Sequence, residues 1–208
     1  MYKVAVLGGT GKAGKFVVDE LVKQGYPVKV LVRTPQNTVN NDPLIEVVTG
    51  NAKNYATIQR LLSGCHAVIS TIGPSKSEAT INSIAVTHLI KVMRNLRIKR
   101  YIEVAGWGIQ AENDKKGLKT RLVGWIIRKV VPARAKARQN VYEMLRASNL
   151  DWTLVRSATI ELTQAHRKLY VELADAPGNR VSAADLAEFV VNQLKDDQYV
   201  GKCPFVAS

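Results

Sequence analysis

Three glycines near the start of the chain, Gly8, Gly11 and Gly14, have the spacing of a phosphate cradle within Gly8-Gly9-Thr10-Gly11-Lys12-Ala13-Gly14. Residues without side chains permit a tight turn and let backbone N–H groups approach a pyrophosphate, and a following helix adds unpaired amides and a favourable dipole. Lys3-Val4-Ala5-Val6-Leu7, just before the glycines, reads as a strand, and Gly11 to Lys23 as a helix. That strand, loop and helix order is what makes a glycine pattern a dinucleotide signature. Gly9 to Lys15 also satisfies GxxxxGK, the opening of a triphosphatase loop. The next residue is Phe16, so the hydroxyl that would hold magnesium is missing and no ATPase is implied.

An adenosine 2′-hydroxyl calls for an acidic residue at the end of the second strand, whereas a 2′-phosphate calls for a cation. The chain has Arg33-Thr34 there, after Val28-Lys29-Val30-Leu31-Val32. A guanidinium matches a phosphate in charge and in donor geometry, and Lys12 in the loop adds to the same field. NADPH is therefore expected over NADH. Other chemistries lack their residues. His66, His88 and His166 have no ligand-like spacing, the carboxylates form no paired site, and no nucleophile elbow supports Ser-His-Asp chemistry, so no metal is expected. Cys65 and Cys203 form no CxxC pair and read as buried small hydrophobes, and His88 as a core histidine.

The elements that must position these residues alternate between short apolar runs and amphipathic stretches. Further strands are expected at Ile45–Val48, Ala67–Thr71, Tyr101–Val104 and Trp152–Val155. Helices are expected at Tyr55–Leu62, from Ser77 to about Leu96, and from a cap at Ser182-Ala183-Ala184-Asp185 to about Leu194. The alternation specifies an α/β fold: a Rossmann-like, doubly wound parallel sheet with helices on both faces and a small C-terminal cap. The 208 residues, 46% hydrophobic and 23% charged, suit one domain over 1–208, with 112–140 as a basic helical insert or lid. No apolar run approaches a membrane span, and Met1-Tyr2-Lys3-Val4 leads straight into strand pattern, so a cytoplasmic protein is expected. Thirty Lys and Arg against seventeen Asp and Glu give a net charge of +13, which attracts polyanions of any kind.

Val6-Leu7-Gly8-Gly9-Thr10-Gly11, Val30-Leu31-Val32-Arg33 and Leu145-Arg146-Ala147-Ser148-Asn149-Leu150-Asp151-Trp152-Thr153-Leu154-Val155-Arg156 resemble the atypical short-chain dehydrogenase/reductases. Within that family the sequence is most similar to the NAD(P)H-binding, NmrA-like proteins and to the biliverdin reductase B and flavin reductase group. The resemblance continues through Val181–Ala187 and Tyr199–Lys202. It implies a cofactor site built from the glycine loop, Arg33, Asn51 beside the adenine, and Ser70, Thr71, Ile72 and Gly73 near the ribose and nicotinamide. The family commonly has Asp where Asn51 stands.

The catalytic side departs from the family pattern, which places a serine after the fifth strand and a Tyr-x-x-x-Lys dyad on the next helix. Here the strand runs out as Val104-Ala105-Gly106-Trp107-Gly108, and the dyad positions fall near Ala135 and Gln139. Tyr142 and Arg146 offer Tyr-x-x-x-Arg, about one turn too late, and an arginine does not give up its proton. Substrate-side candidates are Trp107, able to stack on a flat ring or equally a core or interface aromatic, together with Thr159 and Tyr142, the last read first as a packing or rim residue.

These features imply an NADPH-dependent oxidoreductase passing a hydride to a small planar acceptor such as a flavin or quinone. The alternative is a regulatory protein that senses NADP(H) without turnover. Leu118, Leu122, Val123, Ile126, Ile127, Val130 and Val131 form a helical stripe among the cations of 115–138. That stretch suits a solvated face, a lid, a partner surface or an anionic membrane surface. No nucleic-acid motif is present, and the oligomeric state is left open.

Overall fold

The computed structural model of the chain describes residues 1–34, 42–73, 81–157 and 159–208. Five parallel crossovers build the sheet, beginning with β1 (Val4–Leu7), whose four residues are all buried. Beside it lie β2 (Val28–Val32) and β3 (Ile45–Thr49) on one side, and β4 (Ala67–Ser70), β5 (Arg100–Gly106) and β6 (Asp151–Ser157) on the other. Four three-residue strands follow: β7 (Thr159–Glu161), β8 (Tyr170–Glu172), β9 (Arg180–Ser182) and β10 (Phe205–Ala207). The order across the main sheet is β3-β2-β1-β4-β5-β6-β10-β8; β10 runs parallel to β6, and β8 antiparallel at the edge. The reversal between β1 and β4 is the switch point of a Rossmann-like α/β fold.

Alternation along the strands divides the core. Val4 and Val6 of β1 pack with Val30, Ile69 and Ile102 beneath α1 (Lys12–Lys23) and α6 (Ala183–Asn192). Ala5 and Leu7 point the other way, with Val68 and Tyr101, toward α2 (Tyr55–Leu62), α3 (Ile81–Leu96) and α5 (Pro132–Arg146). Strands covered on both faces read as continuous apolar runs, and this is why the sequence pattern located them.

Several boundaries differ from expectation. Ser77 to Thr80, read as the start of the long helix, lie outside the described residues. Ser182 occupies the cap position of α6, yet its hydroxyl donates to the carbonyls of Thr163 (3.2 Å) and Ala165 (2.6 Å) and makes no cap bond. It ties the helix start to the preceding loop. β7 pairs with β9 in a separate two-stranded sheet, a feature too short to give a period-two pattern.

The apolar stripe of 118–131 is not a single buried face. α4 (Leu118–Val130) ends at Val131 (φ −132°, ψ 60°), and Pro132 begins α5. Proline lacks an N–H and suits the first turn of a helix, so the chain breaks there and restarts. Val123 and Ile127 turn inward, whereas Leu118, Leu122, Trp125, Ile126 and Val130 are exposed.

Both cysteines are buried, and burial pushes their thiols up, to about 11 for Cys65 and about 12 for Cys203, so neither forms a thiolate readily. His88 is half-buried, 3.1 Å from the Lys53 carbonyl and edge-on to Tyr55. No helix among the described residues is long and apolar enough to cross a membrane.

Candidate nucleotide-binding site

A cleft of about 240 Å³ opens at the carboxyl ends of β1, β2, β3 and β4. Its walls come from four separated segments: Gly8, Thr10 and Gly11; Arg33; Asn51; and Thr71, Ile72 and Gly73. Leu31, Gly50, Ala52 and Ile81 complete it, and none of these four was singled out from the sequence. Leu31 and Ile81 are apolar residues with nothing in their types to separate them from core. Gly50 and Ala52 could have been found as small neighbours of Asn51 at a strand end.

The glycine loop shapes the floor. Gly8 has φ +78°, a left-handed backbone that disfavours side chains, and it accepts from the Gly11 N–H at 2.9 Å. Gly14 lies beneath the loop, where a Cβ would sit 2.0 Å from the Gly8 carbonyl oxygen and 2.8 Å from Thr71 Oγ1. Thr71 holds the facing edge by donating its hydroxyl to the Leu7 carbonyl at 3.2 Å. α1 begins at Gly11, which has no side chain to cap it, and its first turn contains no acidic residue. First-turn amides have no intrahelical acceptor, so a helix that starts this way offers donors and a positive dipole end to an anion in the cleft. These features fit a dinucleotide pyrophosphate. Lys12 and Gly14 do not line the cleft: Lys12 is exposed on the first turn and Gly14 is buried.

Arg33 stands exposed at the end of β2 on the cleft wall. Asn51 Oδ1 accepts from the Lys53 N–H at 3.0 Å, which fixes the turn leaving β3. An asparagine serves that turn as well as an aspartate, so the departure from the family's usual residue does not disturb the local backbone.

Beyond Gly73 lies a buried polar cluster that sequence reading missed. Glu103, central in β5, accepts at one carboxylate oxygen from the Tyr101 hydroxyl and at the other from Asn82 Nδ2 (2.6 Å). Burial raises its carboxyl above the ordinary value, opposed by those two hydrogen bonds and by the nearby Arg138 guanidinium. Arg138 comes off α5, and its Nη2 would lie 3.8 Å from a Cβ on Gly73. Its Nη1 is buried with no hydrogen-bond partner among the described residues. The available signal was a lone carboxylate inside an otherwise apolar strand.

The positions matched to the catalytic dyad carry no acid. Gln139 accepts from the Gln110 N–H (2.9 Å) and donates to the Gln110 carbonyl (3.0 Å), tying α5 to the loop after β5. Ala135 and Gly106 have no functional group to offer.

None of the three substrate-side candidates lines the cleft. Trp107 is buried in the loop after β5, and its indole N–H has no partner among the described residues. Tyr142 packs edge-on against Trp152, and its hydroxyl accepts from the Glu112 N–H at 3.3 Å, which makes it a packing residue. Thr159 is exposed on β7, in register with Arg180. No group of three metal-ligating side chains occurs among the described residues.

The uncharacterised protein YwnB of Bacillus subtilis (strain 168) is 20% identical over 95% of this chain and 94% of its own length. An isoflavone reductase homologue of Nicotiana glauca is 29% identical over 48% of the chain, matching 34% of the relative. Among solved structures, a short-chain dehydrogenase/reductase from Veillonella parvula, in complex with NADP, superposes with a TM-score of 0.81 at 16% identity. The match covers 100% of this chain and 94% of that one. The anaerobillin reductase ChuY of Escherichia coli O157:H7 gives 0.80 at 16% identity, over 99% and 96%. The model of the NAD(P)H-binding family matches residues 8–197, from the first loop glycine to beyond α6, and the chain belongs to that family.

Proposed function

We propose that the protein is an NADPH-dependent reductase of planar, conjugated acceptors such as flavins and quinones. The observation that carries this reading is the convergence of the glycine loop, Arg33 and Thr71–Gly73 on one cleft at the sheet's switch point. Gly8, Thr10 and Gly11 hold the pyrophosphate with the α1 amides, Gly14 lets helix and loop close together, and Lys12 adds charge. Arg33 takes the 2′-phosphate, Asn51 lies by the adenine, and Thr71, Ile72 and Gly73 face the ribose and nicotinamide. NADPH, when bound, supplies the hydride. The NADP complex of the Veillonella parvula structure and the reductases among the similar proteins support this assignment.

The chain's own residues orient cofactor and acceptor and leave the proton to solvent. Among the described cleft-lining residues the hydroxyls are those of Thr10 and Thr71, and that of Thr71 is committed to the Leu7 carbonyl. Acceptors that tolerate protonation from water therefore suit the site. Simple ketones, whose developing alkoxide needs a positioned acid, do not. The 112–140 segment, packed over the loop after β5, serves as a lid. A second reading, an NADP(H) sensor without turnover, draws on Ala135 and Gln139 at the dyad positions, since Gln139 is already engaged with Gln110.

Steady-state NADPH oxidation with a quinone, a flavin and an aliphatic ketone separates the readings. Turnover with quinone or flavin, absent with the ketone and little changed in Tyr142→Phe, is expected of the reductase. Rapid ketone reduction that collapses in Tyr142→Phe would refute the solvent-proton mechanism, and tight NADPH binding without turnover would establish the sensor.

A further inference from the structure

The outer face of α4 has a composition that the nucleotide site does not use. Leu118, Leu122, Trp125, Ile126 and Val130 recur at helical spacing and retain between 43% and 84% of their accessible surface. The opposite face of the same helix is held down: Thr120 and Gly124 are buried, and Ile127 packs 3.2 Å from where a Cβ on Gly108 would lie. A helix that packs one apolar face on its own domain and turns a second one outward needs something to cover the second.

Charge identifies the cover. From Lys115 to Tyr142 the chain carries nine Lys and Arg and no Asp or Glu. Lys119 and Lys129 lie on the same outer arc as the apolar residues, with Arg121 and Arg128 along one flank. Among the described residues, the one ion pair these cations make is that of Lys116 with Asp114, 2.9 Å. On the flank a groove of about 430 Å³ has Leu118, Leu122 and Trp125 as floor and Lys116, Arg121 and Arg128 as rim.

We propose that this face of α4 docks on a lipid bilayer that carries acidic headgroups. A second copy of the chain fits poorly, because a two-fold contact opposes the patch to itself and would bring the cations Lys119, Arg121, Arg128 and Lys129 of both copies into one contact. An acidic bilayer offers an apolar interior for the leucines and negative charge at the level the lysines reach by extending their stems. Trp125, central on the face, has the amphipathic ring that favours the boundary between the two. The inference does not depend on hydride transfer and stands whether the chain is a reductase or a sensor.

The test uses the full-length protein with vesicles of phosphatidylcholine alone or mixed with phosphatidylserine, followed by sedimentation and by tryptophan emission. Trp107 and Trp152 are buried, so a blue shift on binding reports Trp125. The protein should sediment with the acidic vesicles and not the neutral ones, with a blue shift. Binding should fade as salt approaches about 1 M, where the screening length is roughly 3 Å. Lys119→Gln/Lys129→Gln should weaken binding by about tenfold or more, since each cation near the surface contributes on the order of fivefold. Leu118→Ser/Leu122→Ser, at exposed positions, should abolish it while leaving thermal unfolding unchanged. Three results would overturn the proposal: no binding to acidic vesicles, equal binding to both kinds, or binding that survives Leu118→Ser/Leu122→Ser. Concentration-dependent self-association in place of vesicle binding would reassign the face to a contact between copies.

Discussion

Gly11 and Gly14 share one loop for different physical reasons, and substitution should separate them. A Cβ on Gly14 meets the Gly8 carbonyl at 2.0 Å, a backbone contact that cannot rotate away. Gly14→Ala should therefore push α1 off the loop, lowering the denaturant midpoint and NADPH affinity together. A Cβ on Gly11 meets only the Gly8 oxygen, at 3.0 Å, and its backbone (φ −72°, ψ 167°) is open to any residue. Gly11→Val should keep the fold and lose the cofactor, because its side chain stands where the pyrophosphate approaches. Urea unfolding and an NADPH titration on both variants check the contrast; a folded Gly11→Val that binds like wild type would place the nucleotide elsewhere. The glycine loop and Arg33 were legible in the sequence because each lies at the end of a strand whose apolar run fixes its place. Arg138 was not, because its closeness to Glu103 and Gly73 arises from the packing of α5 on β5, and no local spacing records that.

That same cluster couples elements: Glu103 on β5 is held by Tyr101 two residues before it and by Asn82 on α3. Its carboxyl is raised above the ordinary value of 4.5 because burial disfavours the charge. A carboxyl whose folded pKa lies above its unfolded one binds its proton more tightly when folded. Its contribution to stability is complete at low pH and is lost as pH rises from about 4.5 through the folded value. Glu103→Gln keeps the shape and removes the titration. As pH rises above about 4.5 the wild type should lose stability relative to Glu103→Gln, measured as the difference in urea midpoints; parallel midpoints would show that Glu103 titrates normally. Strands β1, β2, β4, β5 and β6 were legible because each buries a near-continuous run, and helices α1, α2, α3 and α6 because each buries one face. α4 was not, because Leu118, Val123, Ile126 and Ile127 fall at spacings that look like one stripe while the helix turns Val123 and Ile127 inward and the others outward. β7 to β10 escaped because three residues carry too little pattern to show a period.

At the scale of the whole molecule, the cleft and the outer face of α4 are separate features of one strongly basic chain, and the cofactor's effect can be read without any turnover. A ligand that binds only the folded state stabilises it by mass action: at one hundred times its dissociation constant the gain is about 2.7 kcal/mol. For a chain of 208 residues this corresponds to a rise in Tm of roughly 5–11 °C. If Arg33 pairs with the 2′-phosphate, the charge-assisted contact contributes on the order of 1.5–3 kcal/mol, a factor of about ten or more in affinity. NADH at the same concentration should then raise Tm by about half as much or less. Arg33→Ala should bring the NADPH shift down toward that of NADH, and Gly11→Val should show no shift with either. Equal shifts from both cofactors in the wild type would remove the case for 2′-phosphate recognition and leave the glycine loop intact. A full NADPH shift in a protein that oxidises it with no acceptor would preserve every assignment in the cleft and make Ala135 and Gln139 the residues of a sensor.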